Sequence, residues 1–274
     1  MSEANKYHEV NIARRATKMR ITLIQDIIYW ADKAANLKKV GEQLASLVGQ
    51  TDLVVLPEMF TTGFCTNDLH LAEAMDGETV KTLTNWAVTY QLAIAGSFIA
   101  TEKGTTFNRA FFVFPTGEIQ TADKRHLFSM GGEHNHFSGG DKRMVVNYGG
   151  FSICLLVCYD IRFPVWARNV NNEYDLLIYV ANFPERRIAD WDILLKARAV
   201  ENQAYVCGVN RVGVDGLNIA YNGHSALLDF KATSLLTFPE NESYIQSFEL
   251  FQEPLQRYRQ KFAVWKDADE FELK

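Results

Sequence analysis

Apolar residues recur at two different periods along this chain. Short apolar or alternating runs predict strands at residues 20–25, 53–56, 92–99, 107–114, 118–122, 144–147, 151–157, 175–180, 204–210, 220–229, 234–238 and 244–248. A spacing of three and four residues predicts helices at residues 30–48, 77–91 and 186–202, with a last helix starting near residue 250. Because both element types alternate from end to end without a linker, the pattern favours one continuous α/β domain with stacked layers.

Turn and loop signals connect these elements. Residues 115–117 and 148–150 contain the glycines and proline of tight turns, so each predicts a hairpin between its flanking strands. Residues 125–141 contain glycines and histidines without any periodicity. A loop of this length inside a dense domain usually has a function.

The N-terminal segment differs from the rest of the chain. Residues 1–19 are polar and charged and contain no apolar run of the secretory type, which predicts a disordered extension before a domain at residues 20–274. No apolar stretch is long enough to predict a membrane span. The four cysteines are widely spaced, which is typical of the reducing cytoplasm rather than of a disulfide framework.

Composition narrows the class of partner. The chain has 274 residues, of which 47% are hydrophobic and 22% charged, as expected of a globular protein with a large core. Its net charge is -5 and its basic residues are scattered, whereas a nucleic-acid surface needs a basic face. A small molecule is therefore the favoured partner.

Three reactive side chains each follow the end of a predicted strand: Glu58, Lys124 and Cys158. A thiol becomes nucleophilic as its pKa falls near a cation or a helix N-terminus. We expect Asp160 to cap a helix after Cys158, so that the helix dipole lowers the pKa of this thiol. The backbone N–H of Tyr159 would then be free to bind an oxyanion.

Each of these residues also has a structural interpretation. A cysteine after an apolar strand is often a buried structural thiol, and a lone glutamate or lysine at a strand end is usually an exposed charge. A carboxylate is costly to bury unless it has a partner. The three side chains together therefore favour one assembled site.

Three motifs resemble those of a known family: LPEMF at residues 56–60, DKRHLF at residues 123–128 and VCYDIRFP at residues 157–164. RAVENQ at residues 198–203 and NGHS at residues 222–225 support them. With these motifs in this order along the sequence, the chain resembles the nitrilase superfamily of carbon-nitrogen hydrolases. The resemblance implies an α/β fold of the four-layer αββα sandwich type in a single domain, and pairing of such domains into homodimers or larger homo-oligomers.

The resemblance also implies roles for the matching residues. Glu58 would be the general base, Lys124 the cation that stabilises the oxyanion, and Cys158 the covalent nucleophile. Glu133 would be the family's second glutamate, which orients the base and the leaving nitrogen. Such chemistry hydrolyses an amide through a thioester and needs no cofactor and no metal.

The substrate follows from finer similarities. The string from Cys158 to Pro164, the continuation FTTGF at residues 60–64 and the loop SMGGEH at residues 129–134 are similar to those of bacterial omega-amidases. That resemblance implies hydrolysis of 2-oxoglutaramate and 2-oxosuccinamate. Val165 and Trp166 depart from the common superfamily pattern. A nitrile or N-carbamoyl hydrolase and, in another class, a scaffold protein without turnover remain the alternatives.

Candidate pocket residues complete the interpretation. A substrate carboxylate requires a cationic or amide-rich rim, for which Arg186 and Arg187 are candidates. Apolar candidates for the pocket wall are Phe60, Phe128, Met130 and Phe183. His126, Glu133, His134 and His136 are residue types that suit zinc, but the chemistry that the resemblance implies requires no metal, so we expect no zinc site there.

Overall fold

The computed structural model describes residues 17–272. Within that range the strands are β1 Lys18–Gln25, β2 Leu53–Val55, β3 Ala93–Glu102, β4 Thr105–Val113, β5 Ile119–Asp123, β6 Met144–Tyr148, β7 Phe151–Val157, β8 Leu176–Ala181, β9 Tyr205–Asn210, β10 Val212–Val214, β11 Ala220–Asn222, β12 Ala226–Leu228, β13 Ser234–Thr237 and β14 Tyr244–Phe251. The helices are α1 Lys33–Ser46, α2 Glu78–Tyr90, α3 Pro164–Ala167, α4 Ile188–Asn202 and α5 Gln252–Lys261.

Two six-stranded mixed sheets form the centre of the molecule. The first sheet has the order β14-β1-β2-β3-β4-β5 and the second the order β13-β12-β9-β8-β7-β6. In the first, β1, β2 and β3 run parallel, and in the second β7, β8 and β9 run parallel. Hairpins and long antiparallel pairs complete both sheets.

Side-chain alternation along the strands divides the core into layers. In β2, Leu53 and Val55 belong to the cluster between the sheets, whereas Val54 belongs to the cluster beneath the helices α1 and α2. In β4, Phe112 and Phe111 divide in the same way. Because successive side chains of a strand point to opposite faces, both faces of the first sheet are covered by apolar packing.

Helices cover the outer faces of both sheets. The first sheet is covered by α1 and α2, and the second by α4, which packs against β9 and β12. The helix α1 begins where Asp32 Oδ1 accepts a hydrogen bond of 3.0 Å from the Ala35 N–H. The resulting order of helix, sheet, sheet and helix confirms the four-layer αββα sandwich.

The structure corrects two expectations. The strand β1 begins at Lys18, so Lys18 and Met19 belong to the sheet rather than to an extension; residues 1–16 of the expected extension lie outside the described residues. The expected strand at residues 220–229 is two strands in different sheets. Its break is at Gly223, whose φ is +87° and whose absent side chain makes room for the Gln25 amide.

A further difference is the short strand β10, which the pattern did not predict because only three residues take part. In the described part of the chain, no helix is both long and apolar enough to cross a membrane.

The position of Met19 generates a stability prediction. Its side chain is 0% exposed in the core between the sheets. We expect Met19→Ala to lower the free energy of unfolding by about 2–5 kcal/mol, because truncation leaves a cavity. Denaturant unfolding measures this change. Lys18→Ala is the control, since that side chain is 56% exposed. Equal effects of the two substitutions would contradict the assignment of Met19 to the core of the domain.

Candidate active site

Strand direction brings the expected reactive residues to one edge of the sandwich. The strand β5 is antiparallel to β4, which is antiparallel to β3, so β5 runs in the direction of β2. Glu58 and Lys124, which follow β2 and β5, therefore leave the first sheet at the same edge. Cys158 and Asn182 directly follow the parallel strands β7 and β8 of the second sheet.

The Lys124 ammonium lies between two carboxylates. Its Nζ is 3.0 Å from Glu58 Oε1 and 2.9 Å from Glu133 Oε2, and all three side chains are fully buried. Asn108 Nδ2 bridges the carboxylates by donating to Glu58 Oε1 at 2.8 Å and to Glu133 Oε1 at 3.2 Å. Glu133, which lies in the loop after β5, is thus in direct contact with Lys124.

Two opposing effects act on the pKa of Lys124. Burial lowers the pKa, but the negative charges of Glu133 and Glu58 together raise it by more than burial lowers it. The pKa of Lys124 therefore lies above its ordinary value. The ammonium is therefore charged throughout the neutral pH range. A fixed positive charge at a dry site is suited to stabilising a developing oxyanion.

Backbone groups hold both carboxylates in place. Glu58 Oε2 accepts a hydrogen bond of 2.8 Å from the Asn182 N–H, and Asn182 Nδ2 donates to the Glu58 backbone oxygen at 2.7 Å. Glu133 Oε2 accepts from the Phe128 N–H at 2.6 Å. These bonds fix the carboxylates by contacts outside the ion pairs, so their orientation does not depend on Lys124 alone.

The turn after β7 presents the thiol with a strained backbone. Cys158 has a φ of +45°, which is uncommon for a residue other than glycine and costs about 1–3 kcal/mol. It opens a 3₁₀ turn at Cys158–Arg162, and the helix α3 that follows has only four residues. Tyr159 is the second residue of this turn, so its N–H precedes the first i→i+3 hydrogen bond of the turn and has no partner within it.

Asp160 does not cap a following helix, contrary to expectation. Its carboxylate accepts hydrogen bonds from the Val157 N–H at 3.1 Å and from the His126 N–H at 3.0 Å. His126 Nδ1 lies 2.8 Å from the same carboxylate. Asp160 therefore ties the cysteine turn to the segment that carries Lys124. It caps no following helix because it lies inside a 3₁₀ turn, and the N-cap position of α3 is Phe163.

The pKa of the Cys158 thiol is raised, whereas the sequence interpretation expected it to be lowered. Burial is the largest cause, and the negative charge of Glu58 together with a hydrogen bond to it raises the pKa further; Lys124 opposes them. The short helix α3 supplies no dominant dipole. The Cys158 thiol is therefore neutral at neutral pH and interacts with the Glu58 carboxylate.

A cavity of about 200 Å³ opens above Cys158. Tyr159 and five of the candidate pocket residues line it: Phe128, Met130, Phe183, Arg186 and Arg187. Phe60 is not among the residues that line the cavity, so its assignment to the pocket wall was wrong. Its ring packs beneath α1 and α2 against Phe111, because the alternation after β2 turns this side chain toward the helices.

The mouth of this cavity is positively charged. The Arg187 guanidinium lies over the Phe128 ring, 4.9 Å from its centroid. Burial lowers the pKa of Arg187, and the positive charges of Arg186 and Arg162 lower it further. Arg162 pairs with Asp190 at 2.6 Å, whereas Arg186 and Arg187 form no ion pair within residues 17–272.

Sequence reasoning missed several residues of the site. Asn182 carried a usable signal, since it follows the buried strand β8 just as Cys158 follows β7. Asn108, inside β4, gave only the signal of a polar residue in an apolar run. Phe64 and Tyr221 line the cavity from segments distant in sequence, and nothing in the local pattern distinguishes them from core residues.

The three histidines of this loop region lie in different surroundings. His134 and His136 are exposed, while His126 pairs with Asp160 and stacks on the Phe163 ring at 3.7 Å. Across residues 17–272, no three or more His, Cys, Asp or Glu side chains are grouped to hold a metal ion.

The coupling of Cys158 to Glu58 generates a titration prediction. Glu58→Gln removes the negative charge that raises the thiol pKa, while Lys124 remains, so we expect the pKa of Cys158 to fall. At neutral pH, iodoacetamide should then label Cys158 faster in this variant than in the wild type. Ultraviolet titration of the thiolate, with Cys158→Ser as the blank, measures the shift. An unchanged or raised pKa would contradict the described coupling.

Comparisons with known sequences agree with this geometry. A family model for carbon-nitrogen hydrolases matches residues 20–260. The chain is 43% identical over 255 residues to Omega-amidase YafV of Escherichia coli (strain K12), covering 93% of this chain and 98% of that protein. It is 31% identical over 216 residues to 2-oxoglutaramate amidase of Bacillus subtilis (strain 168), covering 77% and 83% of the two chains.

A solved structure shows the same architecture. The crystal structure of XC1258 from Xanthomonas campestris, a CN-hydrolase superfamily protein with an arsenic adduct in its active site, matches with a TM-score of 0.92 and 39% identity. The match covers 94% of this chain and 99% of that one. By its motifs, its fold and these relatives, the chain belongs to the carbon-nitrogen hydrolase family of the nitrilase superfamily.

Proposed function

We propose that this protein is an omega-amidase that hydrolyses the terminal amide of 2-oxo dicarboxylic acid monoamides, such as 2-oxoglutaramate and 2-oxosuccinamate. The products are the 2-oxo acid and ammonia. The observation that carries the proposal is the buried contact of Lys124 with Glu58 and Glu133 beside the Cys158 thiol, at the floor of a cavity with a cationic mouth. The similarity to relatives named omega-amidase and 2-oxoglutaramate amidase supports this substrate class.

The first half of the reaction acylates the enzyme. Glu58 takes the proton of the Cys158 thiol as the sulfur attacks the amide carbon, forming the S–C bond. Lys124 and the Tyr159 N–H stabilise the oxyanion of the tetrahedral intermediate. Glu58 then returns the proton to the nitrogen, the C–N bond breaks, and ammonia leaves. The raised pKa of the thiol supports a base that acts during the attack rather than a preformed thiolate.

The second half releases the acid. A water molecule gives a proton to Glu58 while its oxygen attacks the thioester carbon, and the same oxyanion contacts form again. The C–S bond breaks, and the proton of Glu58 returns to the sulfur. Glu133 acts by holding Lys124 and, through Asn108, the orientation of Glu58.

The cationic mouth supports a substrate with a carboxylate at its far end. Arg187 is half-buried and has no carboxylate partner among the residues that the structure describes, so a bound anion would offset the cost of burying its charge. Arg186 is more exposed, so we expect it to contribute less than Arg187 to binding the substrate carboxylate. Phe128, Met130 and Phe183 line the same cavity as this cation and the thiol; Phe183 is buried, whereas Met130 is exposed.

The assembly and location of the enzyme are part of the proposal. The family resemblance supports a homodimer or a larger homo-oligomer. The wide spacing of the four cysteines supports a reducing compartment, and we propose the cytoplasm.

A substrate panel tests the activity. We expect the wild type to release ammonia from 2-oxoglutaramate faster than from simple amides, N-carbamoyl amino acids or nitriles, and Cys158→Ala to release none. An enzyme-coupled ammonia assay measures the rates. Undiminished release by Cys158→Ala would refute the nucleophile, and a preference for nitriles or N-carbamoyl compounds would favour the alternative hydrolases.

The cationic mouth generates a separate prediction. Arg187→Gln should raise the KM for 2-oxoglutaramate about tenfold or more, because a charged hydrogen bond to the carboxylate is lost. The rate with pentanamide, which lacks a carboxylate, should change little. Steady-state kinetics with both substrates separate these effects, and Arg186→Gln is the matched removal of one positive charge. Equal losses for the two substrates would show that Arg187 does not bind the carboxylate.

A further inference from the structure

We infer that Asn210, the last residue of β9, is a positioning residue that holds the Glu58 carboxylate in place for the reaction through the backbone of residues 182 and 183. The inference rests on the proposed amide hydrolysis for its substrate and deepens it. Asn210 is fully buried and is not among the residues that line the catalytic cavity, so it acts through its neighbours rather than by touching the substrate.

The side chain of Asn210 continues the pairing of β8 with β9 past the end of both strands. The last paired residues are Ala181 and Asn210, after which the chain enters β10 of a separate two-stranded sheet. The Phe183 N–H donates to Asn210 Oδ1 at 2.8 Å, and Asn210 Nδ2 donates to the Phe183 backbone oxygen at 2.9 Å. One side-chain amide thus supplies both the acceptor and the donor that a further strand residue would supply.

All four hydrogen-bonding positions of this amide are occupied. Besides the Phe183 contacts, Oδ1 accepts from the Arg211 N–H at 2.9 Å, and Nδ2 donates to the Gly223 backbone oxygen at 2.7 Å. An amide can accept two hydrogen bonds and donate two. Exchanging Oδ1 and Nδ2 would break all four bonds, so the orientation of the amide is fixed. Asn210 therefore ties the end of β8 firmly to the segment after β11.

The segment that Asn210 holds also bonds the general base. Asn182 lies between Ala181, the last paired residue of β8, and Phe183. Its N–H donates to Glu58 Oε2 at 2.8 Å, and its Nδ2 donates to the Glu58 backbone oxygen at 2.7 Å. Two consecutive backbone N–H groups thus bond Glu58 and Asn210. Because Asn182 is fixed on both sides, reorienting its N–H requires breaking the sheet pairing or the bonds to Asn210.

Loss of the Asn210 side chain releases this segment on one side. The Phe183 backbone would lose both of its partners, and buried backbone groups without partners are costly, so we expect the segment to rearrange. A misplacement of about 1 Å can lower an enzymatic rate about a hundredfold. Glu58 raises the pKa of the Cys158 thiol, so a displaced carboxylate should also let that pKa fall. The thiol therefore reports the position of Glu58 without any substrate.

Ser225 provides a matched control within the same network. It is buried, and its Oγ accepts from the Asn210 N–H at 3.0 Å and donates to the Asn210 backbone oxygen at 3.2 Å. Ser225→Ala therefore removes two hydrogen bonds to the same residue but leaves the Asn210 amide on the Phe183 backbone.

The test combines steady-state kinetics with a titration of the thiol. For wild type, Asn210→Ala, Asn210→Ser and Ser225→Ala, kcat/KM is measured with 2-oxoglutaramate. The pKa of Cys158 is taken from the pH dependence of iodoacetamide labelling, followed by peptide mass spectrometry. Cys207 is 0% exposed, so its labelling gives the fraction of unfolded protein, for which both measurements are corrected.

We expect kcat/KM to fall about tenfold or more in both Asn210 variants and about threefold or less in Ser225→Ala. The pKa of Cys158 should fall in the Asn210 variants alone. In a Glu58→Gln background, Asn210→Ala should lower the thiol pKa no further, because the carboxylate that Asn210 positions is already gone.

Two results would overturn the inference: equal effects of the Asn210 and Ser225 variants, or a further fall of the thiol pKa when Asn210→Ala is added to Glu58→Gln. A wild type that hydrolyses no amide would instead refute the proposed function, and the titration would still test the role of Asn210.

Discussion

The burial of the Lys124 ammonium between Glu58 and Glu133 is the interaction on which the site depends. Removing one member of such a buried set costs about 3–5 kcal/mol, because an unpaired charge is left behind in the interior. The set joins β2, β5 and the loop after β5. Backbone donors at Asn182 and Phe128 add hydrogen bonds from the second sheet and from the loop. The site is therefore assembled only when both sheets have packed.

This charge arrangement determines the chemistry of the thiol. Two carboxylates and one ammonium surround Cys158, and the pKa of the thiol rises because burial and the negative charge of Glu58 outweigh Lys124. A neutral thiol needs a base at the moment of attack, and Glu58 is the residue that interacts with it. In the proposed mechanism, the strained φ of Cys158 and the Asp160 hydrogen bonds hold the thiol in place for that transfer.

The cavity combines two kinds of polar group. Hydrogen-bonding groups surround the thiol, and guanidiniums line the same cavity in a protein whose net charge is -5. The half-buried Arg187 lies on the Phe128 ring and pairs with no carboxylate within residues 17–272. A substrate that carries a carboxylate would supply this counter-ion.

The sequence by itself determined the layered α/β class, most strand and helix positions, and the residues Glu58, Lys124 and Cys158, because apolar periodicity and charged residues at strand ends are local signals. Motifs identified the family. Only the tertiary structure decided the direction of the Cys158 pKa shift, the place of Phe60 in the core, and the parts of Asn108 and Asn182. Those properties depend on which groups from distant segments become neighbours and how far water is excluded, and no local pattern encodes either.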